Sequence, residues 1–316
     1  YGLDSAPAAA QLSATLLLFV FALIYLEGRS RKQARYHHTT QRHQAIRRIP
    51  LRGGSRAAAI IFCAGALFFG FLLPAGQLLV WSVTVAEESL DREFVTLIGN
   101  SLQLAGGAAL LALLLALFLG YGRRILPGRL LQLAVRMAGL GYAVPGTVIA
   151  VGVIIPFAWF DNTLDSWMRA HFDISTGLLL SGTLAALLFA YVVRFLAVSL
   201  QTVEAGLGRI RPTMDESARS LGMRPLQIMG RVHVPILKGS LLTALLLVFV
   251  DVLKELPATL ILRPFNFNTL AVRAYEMASD ERLADAAPAA LAIVAAGIVP
   301  VILLSFSITR TRAIKK

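Results

Sequence analysis

Asp251, Lys254 and Glu255 stand inside an otherwise apolar stretch, TALLLVFVDVLKELPATLIL. Charges at membrane depth are costly, and they face a cavity or a partner. Asp251 and Glu255 are four apart and share one helix face, with Lys254 three residues from Asp251. Their carboxylates could offer hard oxygen donors to a small, highly charged cation. Alternatively, Lys254 could neutralise its acidic neighbours as a structural pair. As an enzyme site the same two acids would be the only paired catalytic groups, and no HExxH-like or Ser/His arrangement accompanies them. Pro257 should break or kink the helix just beyond.

Other chemistry-bearing residues read more simply. His37, His38 and His43 could begin a metal site, but no carboxylate or cysteine joins them apart from distant Glu27. They sit in a run carrying Arg29, Arg31, Lys32, Arg35, Arg42, Arg47, Arg48, Arg52 and Arg56, which reads as a solvated basic linker. Cys63 is the single cysteine, forms no intrachain disulfide, and lies in an apolar run as a small packing residue.

The elements that must position these residues are membrane spans. The 316 residues are 57% hydrophobic and 15% charged, against about 45–50% and about 25% in ordinary soluble domains. Apolar runs reach the roughly 20 residues that cross a bilayer, without the short alternation of a β-barrel. The expected fold is therefore an all-α polytopic membrane protein. Seven spans are predicted, at about 8–26, 57–82, 100–121, 133–158, 176–200, 240–262 and 287–308. The net charge of +12 falls mainly in alternate loops. That pattern follows from the rule of cytoplasmic Lys/Arg and does not call for nucleic acid. It sends the N-terminus and loops 83–99, 159–175 and 263–286 outward. Loops 27–56, 122–132 and 201–239 and the C-terminus then face the cytoplasm. Arg194, near the inner end of its span, should snorkel. GYAVPGTV (141–148) should kink its helix at Pro145-Gly146 or unwind there to line a cavity. Loop 263–286 could meet a partner or be simply solvated. Position 1 is tyrosine and no signal peptide pattern follows.

Loop 201–239 holds DESARSLG at 215–222. Thr213 and Glu216 have the spacing of a capping box. Gly222 suits the left-handed residue that ends a helix. Pro225 suits the first turn of a second short helix, LQIMGRV, and Pro235 then precedes the next span. The segment reads as a compact helix–turn–helix, able to dock in a partner's groove or to lie on the surface without one.

The stretch resembles the EAA loop of ABC importer permeases, patterned EAA-x3-G-x9-I-x-LP. Here it reads Glu216-Ser217-Ala218, Gly222, then Val232-His233-Val234-Pro235, with the spacing kept and Ser217, Val232 and Val234 as departures. The resemblance implies a type I (MetI-like) six-helix permease domain at 57–316, preceded by one extra transmembrane helix. It implies a coupling loop at 203–239 that meets ATP-binding subunits through Glu216, Ser217, Ala218, Gly222 and Pro235. No G-x-x-x-x-G-K-[ST] phosphate loop occurs, so ATP and Mg belong to a separate ATPase chain. This chain is then expected to be no enzyme and to hold no cofactor or firm metal site. Residues 251–287 resemble Fe(III)-type permeases, which are often two fused halves. That implies residues 1–26 as the last helix of a preceding half, 27–56 as the join, and a periplasmic iron-binding protein as partner. The preceding half could be fused upstream or replaced by a second permease copy. The expected place is the bacterial inner membrane, with lipid around the spans and Asp251, Lys254 and Glu255 on a possible translocation pathway. Sulfate, molybdate, thiamine, polyamine and phosphonate permeases share the fold and loop. A secondary transporter would need no ATPase and would leave the EAA spacing unexplained.

Overall fold

The structure is a computed structural model that describes residues 50–313, apart from Leu90 and Pro127, with scattered positions between 11 and 26. Most of the expected span 8–26 and most of linker 27–56, with its histidines, lie outside the described residues. The chain divides into two compact units, Tyr1–Gln77 and Leu78–Lys316.

Among the described residues six helices are long and apolar enough to cross a membrane. They are α1 (Gly54–Thr84), α3 (Arg92–Ile125), α5 (Gly146–Phe172), α6 (Leu184–Leu207), α8 (Pro225–Leu253) and α11, apolar over Leu283–Ile302. Shorter helices lie between them: α2 (Ala86–Ser89), α4 (Arg129–Ala138), α7 (Pro212–Ser220), α9 (Pro257–Leu262) and α10 (Leu270–Ser279). Helix α1, most of which belongs to the first unit, loosens into a π-turn at Phe68–Leu72 and exposes Phe62, Phe69 and Ile61.

In the second unit α3, α6 and α8 pack against one another. In lipid the drive to pack helices comes from close contact rather than from hiding apolar area, so small residues go inside. On α3, Ala105, Ala108, Ala109, Ala112 and Ala116 are fully buried, while Leu110, Leu114 and Phe118 face outward. Gly206 lets α6 approach α8: a Cβ there would lie 2.8 Å from the Leu237 side chain and 2.9 Å from Ser240 Oγ.

The spans depart from expectation in several places, among them the expected span 176–200, which is helix α6 at Leu184–Leu207. The expected run 133–158 is two elements. Helix α4 stops at Ala138, a single 3-10 turn covers Gly141–Ala143, and α5 starts at Gly146. Of the two forms expected at 141–148, a kink or an unwinding, the helix unwinds, because Gly141 is pressed onto α6; a Cβ would sit 2.0 Å from the Val193 carbonyl oxygen. The expected loop 159–175 is mostly helix, since α5 runs to Phe172. Its Asp161 and Asp165 reach past the end to hold the next segment. Asp161 accepts from Leu180 N (3.1 Å), Ser181 N (2.7 Å) and Ser181 Oγ (2.6 Å). Asp165 accepts from Thr176 N at 2.8 Å. Finally, α8 begins at Pro225, far ahead of 240. The proposed second short helix is its first turns, continued through a π-turn at Met229–His233.

Segment 263–286 is likewise no solvated loop. Helix α10 buries Leu270, Ala271, Val272 and Met277. Its start is tied to α3, where Ser101 Oγ accepts from Leu270 N at 2.9 Å and Asn100 Nδ2 donates to Asn268 O at 3.0 Å.

Candidate functional site: a clamped polar hairpin and a buried ion pair

Helix α7 opens on Pro212 at its first position, a place where a missing N–H costs nothing. The expected Thr213–Glu216 capping box does not form. Arg211 is the N-cap, without a side-chain cap bond. The other end forms as expected. Gly222 has φ +78°, its N–H donates to Arg219 O (2.9 Å), and Met223 N–H donates to Ala218 O (3.1 Å). These two bonds make a Schellman end, which needs a residue in the left-handed region. Pro225 then starts α8, and Gln227 Oε1 reaches back to accept from Arg224 N at 2.9 Å.

One side of this hairpin is buried. Asp215 and Ala218 point inward, whereas Met214, Glu216, Ser217, Leu221, Gly222 and Leu226 are exposed. Asp215 sits at the centre of a network. Arg124, in the last turn of α3, donates Nε to Asp215 Oδ2 at 2.6 Å, Nη1 to Leu207 O at 2.9 Å and Nη2 to Ile210 O at 2.9 Å. The planar guanidinium thus joins the open C-terminal end of α6, the following loop and α7. From α8, His233 is fully buried and places Nε2 2.5 Å from Asp215 Oδ1. The π-turn, in which Val234 N–H donates to Met229 O, carries the His233 ring. Such bulges often re-aim a side chain at functional sites. Tyr121 of α3 packs edge-to-face on His233 (5.1 Å, 84°) and donates its hydroxyl to Pro225 O at 2.7 Å. Burial acts to raise the Asp215 carboxyl pKa, but the hydrogen bonds from Arg124 and His233 outweigh it, and the carboxyl is held below the usual carboxylate range.

The second cluster surrounds Arg194, midway along α6. Helix α8 ends at Leu253 and α9 starts at Pro257, so Glu255 lies in the break. Glu255 Oε1 accepts from Arg194 Nη1 at 2.9 Å and from Ala258 N at 3.1 Å. Both side chains are largely buried, at 20% and 5% exposure. Gly146, the first residue of α5, touches both. A Cβ there would lie 2.0 Å from Arg194 Nη1 and 2.6 Å from Glu255 Oε1. Tyr191 and Thr259 complete the surroundings: their hydroxyl oxygens are 2.5 Å apart, and Thr259 donates to Glu255 O at 2.6 Å. Two broken helices therefore meet at one arginine. In membrane proteins irregular backbone at depth is tolerated where it is buried in protein or lines a cavity.

Residues 108–314 match the family of binding-protein-dependent transport system inner membrane components. The chain belongs to this family. It is 28% identical over 298 residues to the Fe(3+)-transport system permease protein FbpB 2 of Haemophilus influenzae, covering 93% of this chain and 55% of that relative. It thus spans about half of that relative's length. It is 26% identical over 255 residues to the putative 2-aminoethylphosphonate transport system permease protein PhnV of Salmonella typhimurium, covering 76% of this chain and 90% of that one. A bacterial alginate ABC transporter, solved with an alginate pentasaccharide-bound periplasmic protein, has a chain of the same fold. It aligns at TM-score 0.59 and 16% identity over 83% of this chain and 95% of that one.

Against this family background, the residues expected from sequence divide clearly. Glu216, Ser217 and Gly222 lie together on the open side of the hairpin. Ala218 instead faces the interior, and Pro235 is exposed within the continuous helix α8. Asp251 and Lys254 do form a pair, at 3.0 Å. Lys254 does not neutralise Glu255; Arg194 does. The expectation that Arg194 snorkels from the inner end of its span fails because α6 runs on to Leu207 and the guanidinium finds a buried carboxylate instead. Among the described residues no group of three or more His, Cys, Asp or Glu could hold a metal ion.

Asp215, Arg124, His233 and Tyr121 escaped the sequence reading. Arg124 was only one of the basic residues marking a loop, and Asp215 stood beside the motif glutamate. A signal was present in His233, a polar residue between two valines beside an apolar helix.

Proposed function

We propose that this chain, a multi-pass inner-membrane permease of the ABC importer class, carries ferric iron, handed over by a periplasmic binding protein, and that separate ATPase subunits holding ATP and Mg drive it by alternating access. The observation that carries the coupling part is the hairpin itself. Glu216, Ser217 and Gly222 are presented outward on a helix whose buried side is fixed to α3 and α8. A docked ATPase pushing on that face would move helix ends rather than a slack loop. Ala218 and Pro235 set the shape of this element, Ala218 from inside. The iron assignment draws its support from the Fe(3+) permease relative and its coverage of this chain.

In this reading the hairpin and the C-terminus are cytoplasmic. Residues 1–26 are the last helix of a preceding permease half, 27–56 the join and 57–316 the six-span unit. The pathway passes the helix break that holds Asp251, Lys254 and Glu255, with Arg194 and Gly146 beside it. Because Asp251 and Glu255 are each already paired with a cation, they would shape and gate the passage rather than ligate iron firmly. The phosphonate permease relative favours one alternative cargo, an organophosphonate.

The test is uptake by proteoliposomes holding this permease with its ATPase. Binding protein loaded with ferric iron is offered, with 2-aminoethylphosphonate, sulfate, molybdate and thiamine systems as controls. Iron uptake that stops without ATP is expected. ATP-dependent uptake of another solute discards iron and keeps the importer. Uptake indifferent to ATP overturns the coupling assignment and returns a secondary transporter.

A further inference from the structure

We infer that Arg124, Asp215 and His233 are positioning residues for coupling: they make the α7–α8 hairpin move as one body with the ends of α3 and α6. The inference rests on the importer reading above and names the parts that transmit the push.

Three observations converge. First, the contacts are long-range. Arg124 and Asp215 are 91 residues apart, yet they close to 2.6 Å with side chains only 18% and 11% exposed. Second, one guanidinium serves three acceptors on three successive segments, namely Leu207 at the end of α6, Ile210 in the loop and Asp215 on α7. A lysine ammonium is a compact point charge and cannot present that planar fork. Third, Asp215 is held from both sides, since His233 comes from the π-turn where the hairpin becomes a membrane helix. His233 Nδ1 is buried without a partner among the described residues. That arrangement is expensive for a residue whose only task is to fill space. Tyr121 adds a separate tie from α3 to Pro225.

Outside the network the hairpin's surface is exposed and mixed, with Met214, Leu221 and Leu226 apolar beside Glu216 and Ser217. Arg123 and Glu204 pair at 2.8 Å with 47% and 32% exposure, a contact worth little. The rigid joint therefore lies in the buried triad, not in the surface charges. A displacement applied at Glu216, Ser217 or Gly222 reaches α3, α6 and α8 together because Asp215 is bonded to α3 and α8, and Arg124 also to the end of α6.

The experiment measures solute moved per ATP hydrolysed by the permease–ATPase complex in proteoliposomes, with loaded binding protein present. The variants are Arg124→Lys, Asp215→Asn and the exchanged pair Arg124→Asp with Asp215→Arg. Both single variants should still copurify with the ATPase and hydrolyse ATP, while solute moved per ATP falls roughly fivefold or more, the lower end of typical coupling effects. The exchanged pair should recover part of the loss. A wild-type ratio in both single variants overturns the inference while leaving the importer reading intact. Failure of both to accumulate in the membrane also overturns it, because the triad then only builds the fold. If the wild-type complex itself shows no ATP-dependent uptake, it is the importer reading that falls.

Discussion

Arg124 and Arg194, both largely buried, are satisfied to different degrees. Arg124 donates from three nitrogens, and its carboxylate partner is held again by His233. Arg194 makes one ion pair, at 2.9 Å, and its Nε is buried without a partner among the described residues. The contrast lies at the arginine itself, since His233 Nδ1 in the first cluster is also buried without a partner among the described residues: a guanidinium held by three acceptors is fixed in one geometry, whereas one held by a single pair is less constrained. The first cluster joins continuous helices at the hairpin. The second sits where α8 breaks and α5 begins. The contrast suits a transporter that needs one joint that holds and another that can let go.

The largest effect should come from the second cluster. Glu255→Ala would leave the Arg194 guanidinium buried and unpaired, a change that costs about 3–5 kcal/mol when one partner of a buried pair is removed. Replacing both, as Arg194→Met with Glu255→Gln, should recover most of that loss. Thermal unfolding of the purified protein in detergent checks both. A loss under about 1 kcal/mol for Glu255→Ala would place the pair among screened surface contacts and erase the contrast.

Asp215→Asn should cost less, about 1.5–3 kcal/mol for a hydrogen bond to a charged group, because Arg124 keeps its two carbonyl acceptors. The pH dependence has a definite sign. The folded carboxyl titrates below its unfolded value of about 4. Its contribution is therefore fully present above pH ~4 and is lost as pH falls through the depressed folded value. The difference in unfolding temperature between wild type and Asp215→Asn should stay flat from pH 7 to pH 5 and shrink only in more acid solution. A difference that shrinks between pH 7 and pH 5 would show that the Asp215 carboxyl is not the group that titrates.

The sequence carried the span content and the punctuation of the hairpin, because those are local. Apolar run length, Pro225 at a helix start, Gly222 at a helix end and Pro257 after a break all act within a few residues. What it could not carry was pairing. Arg124 with Asp215 and Arg194 with Glu255 are 91 and 61 residues apart, and nothing in the intervening chain marks the partner. The same limit left the form of the break at 139–145 open: Pro145-Gly146 marked a kink or an unwinding, and the deciding contact is Gly141 on the backbone of α6. Glu216 and Asp215 show the limit at its narrowest. Motif spacing selects the exposed residue, while the adjacent residue that anchors the helix is found only from the fold.

A smaller effect belongs to Gly222. Nothing lies within 4 Å of a Cβ built there, but its φ is +78°, so Gly222→Ala should cost about 1–2 kcal/mol from backbone strain alone. Asn, which tolerates this region better, should cost less. Equal unfolding temperatures for the alanine variant and wild type would mean that the hairpin's end is free to rearrange. The hairpin would then be a weaker joint than the bonds around Arg124 suggest.

The smallest effect on stability, and the sharpest separation of stability from function, is expected at Glu216. Its side chain is exposed, and among the described residues its carboxylate has no hydrogen bond or ion pair. Glu216→Ala should therefore shift unfolding by no more than about 0.5 kcal/mol, as surface substitutions do. If the exposed side of α7 is where the ATPase docks, the same variant should lower ATP-driven uptake at normal membrane levels. Asp215→Asn should show the opposite balance, with a clear stability loss accompanying its loss of coupling. Normal uptake by Glu216→Ala would remove this glutamate from the contact and shift the docking surface toward Met214, Leu221 and Leu226, the exposed apolar residues of the same hairpin.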